Sequence, residues 1–142
     1  MKKGIVVLIC LVIVLLCTKC YKEPTYEVLI KCYYSTNEFE KGDPVPECTI
    51  NIGKEGFADW AIKEGKTDAT GQYKTTFRYE ALLEVRGKLE GVEWRHPINP
   101  ITGEILDACE YHIMYFGKGN VKLIPNEVAT LELLLVKEDL GF

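Results

Sequence analysis

Apolar and polar residues alternate with period two in short windows along this 142-residue chain, and nothing else in the sequence constrains its fold as strongly. In YEVLIKCYYS, Val28, Ile30, Cys32 and Tyr34 fall on one side of an extended ribbon, with Glu27, Leu29, Lys31 and Tyr33 on the other, because successive strand side chains point to opposite faces. CTINIG repeats the pattern with Cys48, Ile50 and Ile52. QYKTTFRY alternates Tyr73, Thr75, Phe77 and Tyr79 with Gln72, Lys74, Thr76 and Arg78, and ALLEVRGKLEG sets Leu83, Val85 and Leu89 against Glu84, Arg86 and Lys88. Three further windows follow: CEYHIMYFG, NVKLI, and EVATLELLLVKE with Leu131, Leu133 and Leu135 in one row. FADWAIKEG fits either a short strand aligning Ala58, Trp60 and Ile62 or a helical turn. No window sustains helical periodicity. The pattern predicts an all-β chain, an antiparallel β-sandwich of about seven strands.

The breaks between these windows have turn chemistry. NEFEKGDPVPE carries Gly42, Pro44 and Pro46 and reads as a connection. In KTDATGQY, Asp68 is placed to bond the backbone two residues on and Gly71 to take a positive φ, which makes the pair a structural turn. A calcium site would need six or more oxygens, and Asp68 is the only carboxylate in the turn, with Glu64 the nearest other. Residues 92–107, VEWRHPINPITGEILD, carry two prolines and a glycine without clean periodicity and read as one long connection.

The amino terminus is of another kind. Lys2 and Lys3 precede an unbroken apolar run of 14 residues, Gly4 to Cys17. A spanning helix needs about 20 residues, so residues 1–20 read as an export signal or an uncleaved membrane anchor. Residues 21–25 then form a short tether and residues 26–142 the folded domain. Cys17 and Cys20 lie where a lipoprotein carries its acylated cysteine, although Leu16 and Lys19 precede them where small residues are usual. Both readings export the domain to the periplasm or the exterior. Cys32, Cys48 and Cys109 then meet oxidising conditions, where any two of them are able to pair; all three also suit buried positions.

DPVPECTINI, KTDATGQYKTTF and ALLEVRGKLEGVEWRHP together resemble the carboxypeptidase regulatory-like domain, a sandwich also similar in shape to transthyretin. The resemblance covers Tyr26 to Pro97 and is most specific at Thr67-Asp68-x-x-Gly71-x-Tyr73; YEALLEVRG lacks the glycine and aromatic that the family places after this motif. It implies an Ig-like or transthyretin-like architecture and a non-catalytic spacing or binding role.

Chemistry-bearing residues are sparse. Ser35 is the only serine and sits in no glycine elbow, and His96 and His112 are the only histidines. Cys109 and His112, three apart in a strand, point to opposite faces and do not converge on a metal. We therefore expect no catalytic residues, no metal and no cofactor. The net charge of −4 disfavours nucleic acid. The expected function is an exported, membrane-anchored, non-enzymatic module that binds a protein or glycan partner at the cell envelope. The candidate contacts are Trp94, Arg95 and Tyr33, with Trp94 also suited to closing one end of the core. The alternatives are a carrier or hydrolase with a pocket between the sheets, lined by Tyr73, Phe77 and Tyr79, and a spacer without a ligand.

Overall fold

The computed structural model describes residues 23–37, 40–53, 56 and 58–141. Its strands are β1 (Tyr26–Asn37), β2 (Glu40–Pro44), β3 (Thr49–Ile52), β4 (Lys63–Lys66), β5 (Gln72–Phe77), β6 (Leu82–Arg95), β7 (Cys109–Lys122) and β8 (Val128–Gly141), with one turn of 3-10 helix at Asp59–Ala61. The predicted export segment, including Cys17 and Cys20, lies outside the described residues.

The chain is all-β, with a mixed eight-stranded sheet. The strands pair in the order β2-β1-β8-β7-β6-β3-β4, and β5 shares with β2 the edge of β1 that faces away from β8. β8 serves two partners. Its first half runs parallel to β1, from Glu27↔Val128 to Tyr34↔Leu135, and from Val136 onward it pairs antiparallel with β7. The inward rows predicted from alternation, Val28-Ile30-Cys32, Ile50-Ile52, Leu83-Val85 and Leu133-Leu135, meet in one buried cluster. Gly117 stands beside the change of partner: a Cβ there would lie 2.5 Å from the Leu134 carbonyl oxygen, so a bare backbone lets β7 approach β8.

The expected purely antiparallel arrangement is corrected by the β1–β8 pair, which is parallel over eight residue pairs. The cause lies in the β7–β8 turn. Asn126, at φ 61°, donates its N–H to the Thr25 carbonyl at 2.8 Å, which sets the starts of β1 and β8 side by side. Three element boundaries also differ. CEYHIMYFG and NVKLI merge into the single strand β7, because Gly117 and Gly119 face Leu131, Leu133 and Leu135 of β8 and need no break. β5 ends at Phe77, where residues 78 and 79 bend, so Tyr79 is 55% exposed rather than part of an inner face. The turn-rich connection contains β2, which pairs with the end of β1 through Pro44, Lys41 and Glu40.

The KTDATGQY segment is pinned to the core by Thr67, the one buried polar side chain among the described residues. Its hydroxyl donates to the Val45 carbonyl at 2.7 Å and accepts the Cys48 N–H at 2.8 Å. Asp68 Oδ1 accepts from the Thr70 N–H, the Thr70 hydroxyl and the Gln72 N–H at 2.8, 2.7 and 3.0 Å. Gly71, at φ 72°, presents its carbonyl to the Cys32 N–H at 2.9 Å. A Cβ on Gly71 would lie 2.9 Å from Cys32 O, Pro44 Cβ and Val45 N. Both positive φ and lack of room therefore require glycine here.

Candidate functional site

β6 and β7 pair over fourteen residues, from Leu82↔Lys122 to Arg95↔Cys109, and are each about 45 Å long at the usual strand rise. Their other neighbours cover only part of this length. β3 flanks β6 only from Val85 to Lys88, and β8 flanks β7 only from His112 to Phe116. The far ends of β6 and β7 therefore project as a two-stranded arm. VEWR belongs to this arm, which corrects the expectation that residues 92–107 are one long connection. The alternation continues through Val92, Glu93, Trp94 and Arg95, and β7 supplies His112, Tyr111, Glu110 and Cys109 opposite them.

The tip of the arm is ordered by its own polar contacts. Ile98 and Ile105 form a bridge, the Asn99 N–H donates to the Glu104 carbonyl at 2.8 Å, and the Gly103 N–H returns to the Asn99 carbonyl at 2.8 Å. Asn99 Oδ1 accepts the Ile101 N–H at 2.9 Å and the Thr102 N–H at 3.3 Å. Gly103, at φ 75°, closes this turn. Closer to the body, the Leu106 N–H meets the Pro97 carbonyl at 2.9 Å, and His96 Nδ1 lies 3.2 Å from the Leu106 carbonyl.

One face of the arm is polar. Glu93 accepts Lys137 Nζ at 2.6 Å, and its second oxygen accepts Arg95 Nη2 at 2.8 Å and Nε at 3.2 Å. The Lys137 hydrogen bond first, and then the Arg95 one, hold the Glu93 carboxyl below the usual carboxylate range. Arg95 also lies over the Tyr111 ring, 4.9 Å from its centroid. These contacts stiffen the arm where it leaves the sheet.

The other face sets Val92 and Trp94 beside the exposed His112 and Glu110, and the tip beyond them is apolar and exposed. Val92, Trp94, Ile98, Ile101, Ile105 and Leu106 all lie here, with Trp94 at 66% and Ile101 at 92% exposure. Trp94 therefore does not close the core. Exposed apolar side chains gathered on one ordered projection gain by leaving water and lose little entropy on doing so.

The three candidate contacts do not form one site. Trp94 points outward from the arm, and Arg95, next along the strand, is held inward by Glu93. Tyr33 lies on β1, separated from β6 by β8 and β7 in the sheet order, with Lys41 Nζ 3.9 Å from its ring centroid. The isoleucines of INPITGEIL were missed, although three β-branched apolar residues around a Pro-x-x-Gly turn are the signal that would have found them.

Tyr73, Phe77 and Tyr79 do not line a common cavity either. Phe77 is buried in the core, Tyr73 covers Gly65 and donates to the Glu64 carbonyl at 3.4 Å, and Tyr79 packs edge-on against Trp60 at 5.1 Å. Two surface clefts, about 460 and 380 Å³, lie on either side of Arg78. Of the cysteines, Cys32 and Cys48 are buried, unbridged and hydrogen-bonded to each other, whereas Cys109 lies on the arm with its thiol 3.7 Å from the Arg95 carbonyl. The hydrogen bond to Cys48, and then burial, push the Cys32 thiol well above its ordinary range. Cys109 shares the inward row of β7 with Tyr111, and His112 is exposed on the other face. Among the described residues, no three His, Cys, Asp or Glu side chains come together as a metal set.

Compared with known protein families, curated proteins and solved structures, the chain matches none.

Proposed function

We propose that this protein is an exported, membrane-anchored, non-enzymatic module that holds a protein partner at the cell envelope through the β6–β7 arm. The observation that carries this reading is the ordered apolar tip, where Ile98, Ile101 and Ile105 stand exposed beyond Trp94. Aliphatic side chains of this kind suit an apolar protein surface better than a sugar, whose hydroxyls need polar partners. Export and anchoring rest on the basic and apolar residues 1–20, with Cys17 or Cys20 as the acylation point if a lipid is attached. The fold reading within this proposal is a sandwich of the carboxypeptidase regulatory-like kind, supported by the KTDATGQY turn packed on β1. The non-catalytic reading is supported by a single serine, Ser35, within β1, and by two histidines on separate parts of the arm.

Site-specific photo-crosslinking in the producing cells tests this. A crosslinking residue at Ile101 is expected to yield a discrete adduct that Trp94→Asp abolishes, and the same residue at Lys74, on β5, to yield none. Equal labelling from both positions, or no adduct from Ile101, would sink the binding role and leave the spacer reading.

A further inference from the structure

The large apolar side chains that remain exposed are not scattered. Apart from those on the arm and Val136 on β8, they lie at the opposite end of the sheet: Ile62, Tyr79, Leu82, Ile124 and Val128. Trp60 joins them, half-buried against the core and stacked edge-on with Tyr79. Register and turn contacts put these residues at one end. Leu82 begins β6 opposite Lys122, Val128 begins β8 beside Glu27, and the Leu123 N–H bonds the Ala81 carbonyl at 2.9 Å. Ile62 follows the 3-10 turn beside Gly53, whose N–H bonds the Glu84 carbonyl at 2.8 Å. Residues 23–25 enter the sheet at this same end, through the contact of Thr25 with Asn126.

We propose that this end of the domain, Trp60, Ile62, Tyr79, Leu82, Ile124 and Val128, docks on the headgroup layer of the bilayer that holds residues 1–20. The inference rests on the anchored reading and adds a second, reversible membrane contact to it. Between Cys17 and Tyr26 lie eight residues, which span at most about 28 Å. A tether this short keeps the apolar end at a local concentration of about millimolar relative to the surface, so weak contacts suffice to dock it. Tryptophan and tyrosine suit the headgroup level, where their rings meet both water and acyl chains. The clefts on either side of Arg78, bounded by Tyr26 and Tyr79 and by Trp60 and Lys63, are large enough to admit headgroups.

Charge does not drive the contact. Lys63, Arg78 and Lys122 at this end face Glu23, Asp59, Glu80 and Glu127, with Lys122 lying 3.9 Å from Glu80. Docking is therefore carried by apolar and aromatic side chains and works on a zwitterionic bilayer. It also fixes the direction of the arm. β6 runs from the docked end to the tip, about 45 Å away, so the apolar tip is held off the membrane that anchors the chain.

The two tryptophans, one at each end, provide the test. Full-length chain is reconstituted into phosphatidylcholine vesicles with and without brominated acyl chains, as Trp94→Phe to read Trp60 and as Trp60→Phe to read Trp94. Trp60 emission is expected to fall at least twofold on bromination and Trp94 emission to stay within a tenth of its value. Tyr79→Asp in the Trp94→Phe background should restore most of the Trp60 emission without releasing the chain from the vesicles. Chain that floats with the vesicles while Trp60 is unquenched, or while both tryptophans are quenched alike, overturns docking and leaves anchoring intact. Chain that fails to float overturns anchoring, and docking with it.

Discussion

Replacing Thr67 by valine removes one hydroxyl, keeps the shape of the side chain, and deprives two buried backbone groups of their partner. The Val45 carbonyl accepts from that hydroxyl at 2.7 Å and the Cys48 N–H donates to it at 2.8 Å, and both residues are fully buried. Water has no route to replace either bond. A buried backbone group left without a partner costs about 1–3 kcal/mol, so Thr67→Val, which orphans two, should destabilise by about 2–6 kcal/mol. At this chain length that lowers the melting temperature by roughly 8–24 °C. Thr67→Ser keeps both bonds and deletes one methyl group, which costs about 1 kcal/mol. Urea unfolding followed by circular dichroism measures both variants against the parent. The decisive quantity is the order of the two. If serine proves as harmful as valine, or valine costs less than about 1 kcal/mol, the hydroxyl bridge does not pin this segment.

Other expectations follow from the same region and from the arm. Under the exported reading, Cys32 and Cys48, whose side chains hydrogen-bond each other, should be found as a disulfide in chain isolated without reductant; peptide mapping that links Cys109 to either would refute this. Such a bridge closes a loop of about 16 residues and should stabilise by about 3 kcal/mol, which reduction would remove. Gly71→Ala should cost more than about 1 kcal/mol in the same unfolding assay, since the positive φ and the 2.9 Å contacts both oppose a Cβ. Asp68 is held below the usual carboxylate range, first by the Thr70 hydroxyl and then by the Gln72 and Thr70 N–H groups. Its folded pKa is depressed, so its contribution is present above the ordinary aspartate pKa and is lost as pH falls through the folded value. The stability difference between parent and Asp68→Asn should therefore be flat near neutrality and disappear in acid. Ile105→Ser, 73% exposed at the tip, should leave stability within about 0.5 kcal/mol while removing the adduct formed by the crosslinking residue at Ile101.

What could be read from the sequence was local. Alternation identifies which side of each ribbon is apolar, and the rows of β1, β3, β6 and β8 that it marks are the rows that are buried. The TDATG turn was legible because Asp68 and Gly71 act on backbone within four residues of themselves. Thr67 was not legible as an anchor, since its partners lie at Val45 and Cys48, 22 and 19 residues away. Trp94 misled for another reason. Once β6 is read as one strand through Arg95, alternation puts Trp94 on the exposed row of Leu82, Arg86, Lys88 and Glu90, opposite the buried Leu83 and Val85. Reading residues 92–107 as a connection broke that row before it reached Trp94.

Strand direction is the information that alternation lacks altogether, and here it decides at which end of the sheet the domain begins. A period of two is the same read forwards or backwards, so the parallel β1–β8 pair leaves no mark in either strand. Its determinant is one asparagine, Asn126, which bonds Thr25 and brings the entry of β1 to the turn before β8. That single contact puts the start of the domain beside Leu82 and Ile124, and so at the end of the sheet opposite Trp94 and Ile101. Had β8 paired antiparallel with β1, the tether would leave from the end that bears the arm, and an anchored chain would press its apolar tip toward its own membrane. With the observed direction, the same two apolar ends are separated by the full length of β6, and under the anchored reading proposed above one faces the anchor while the other stays free for a partner.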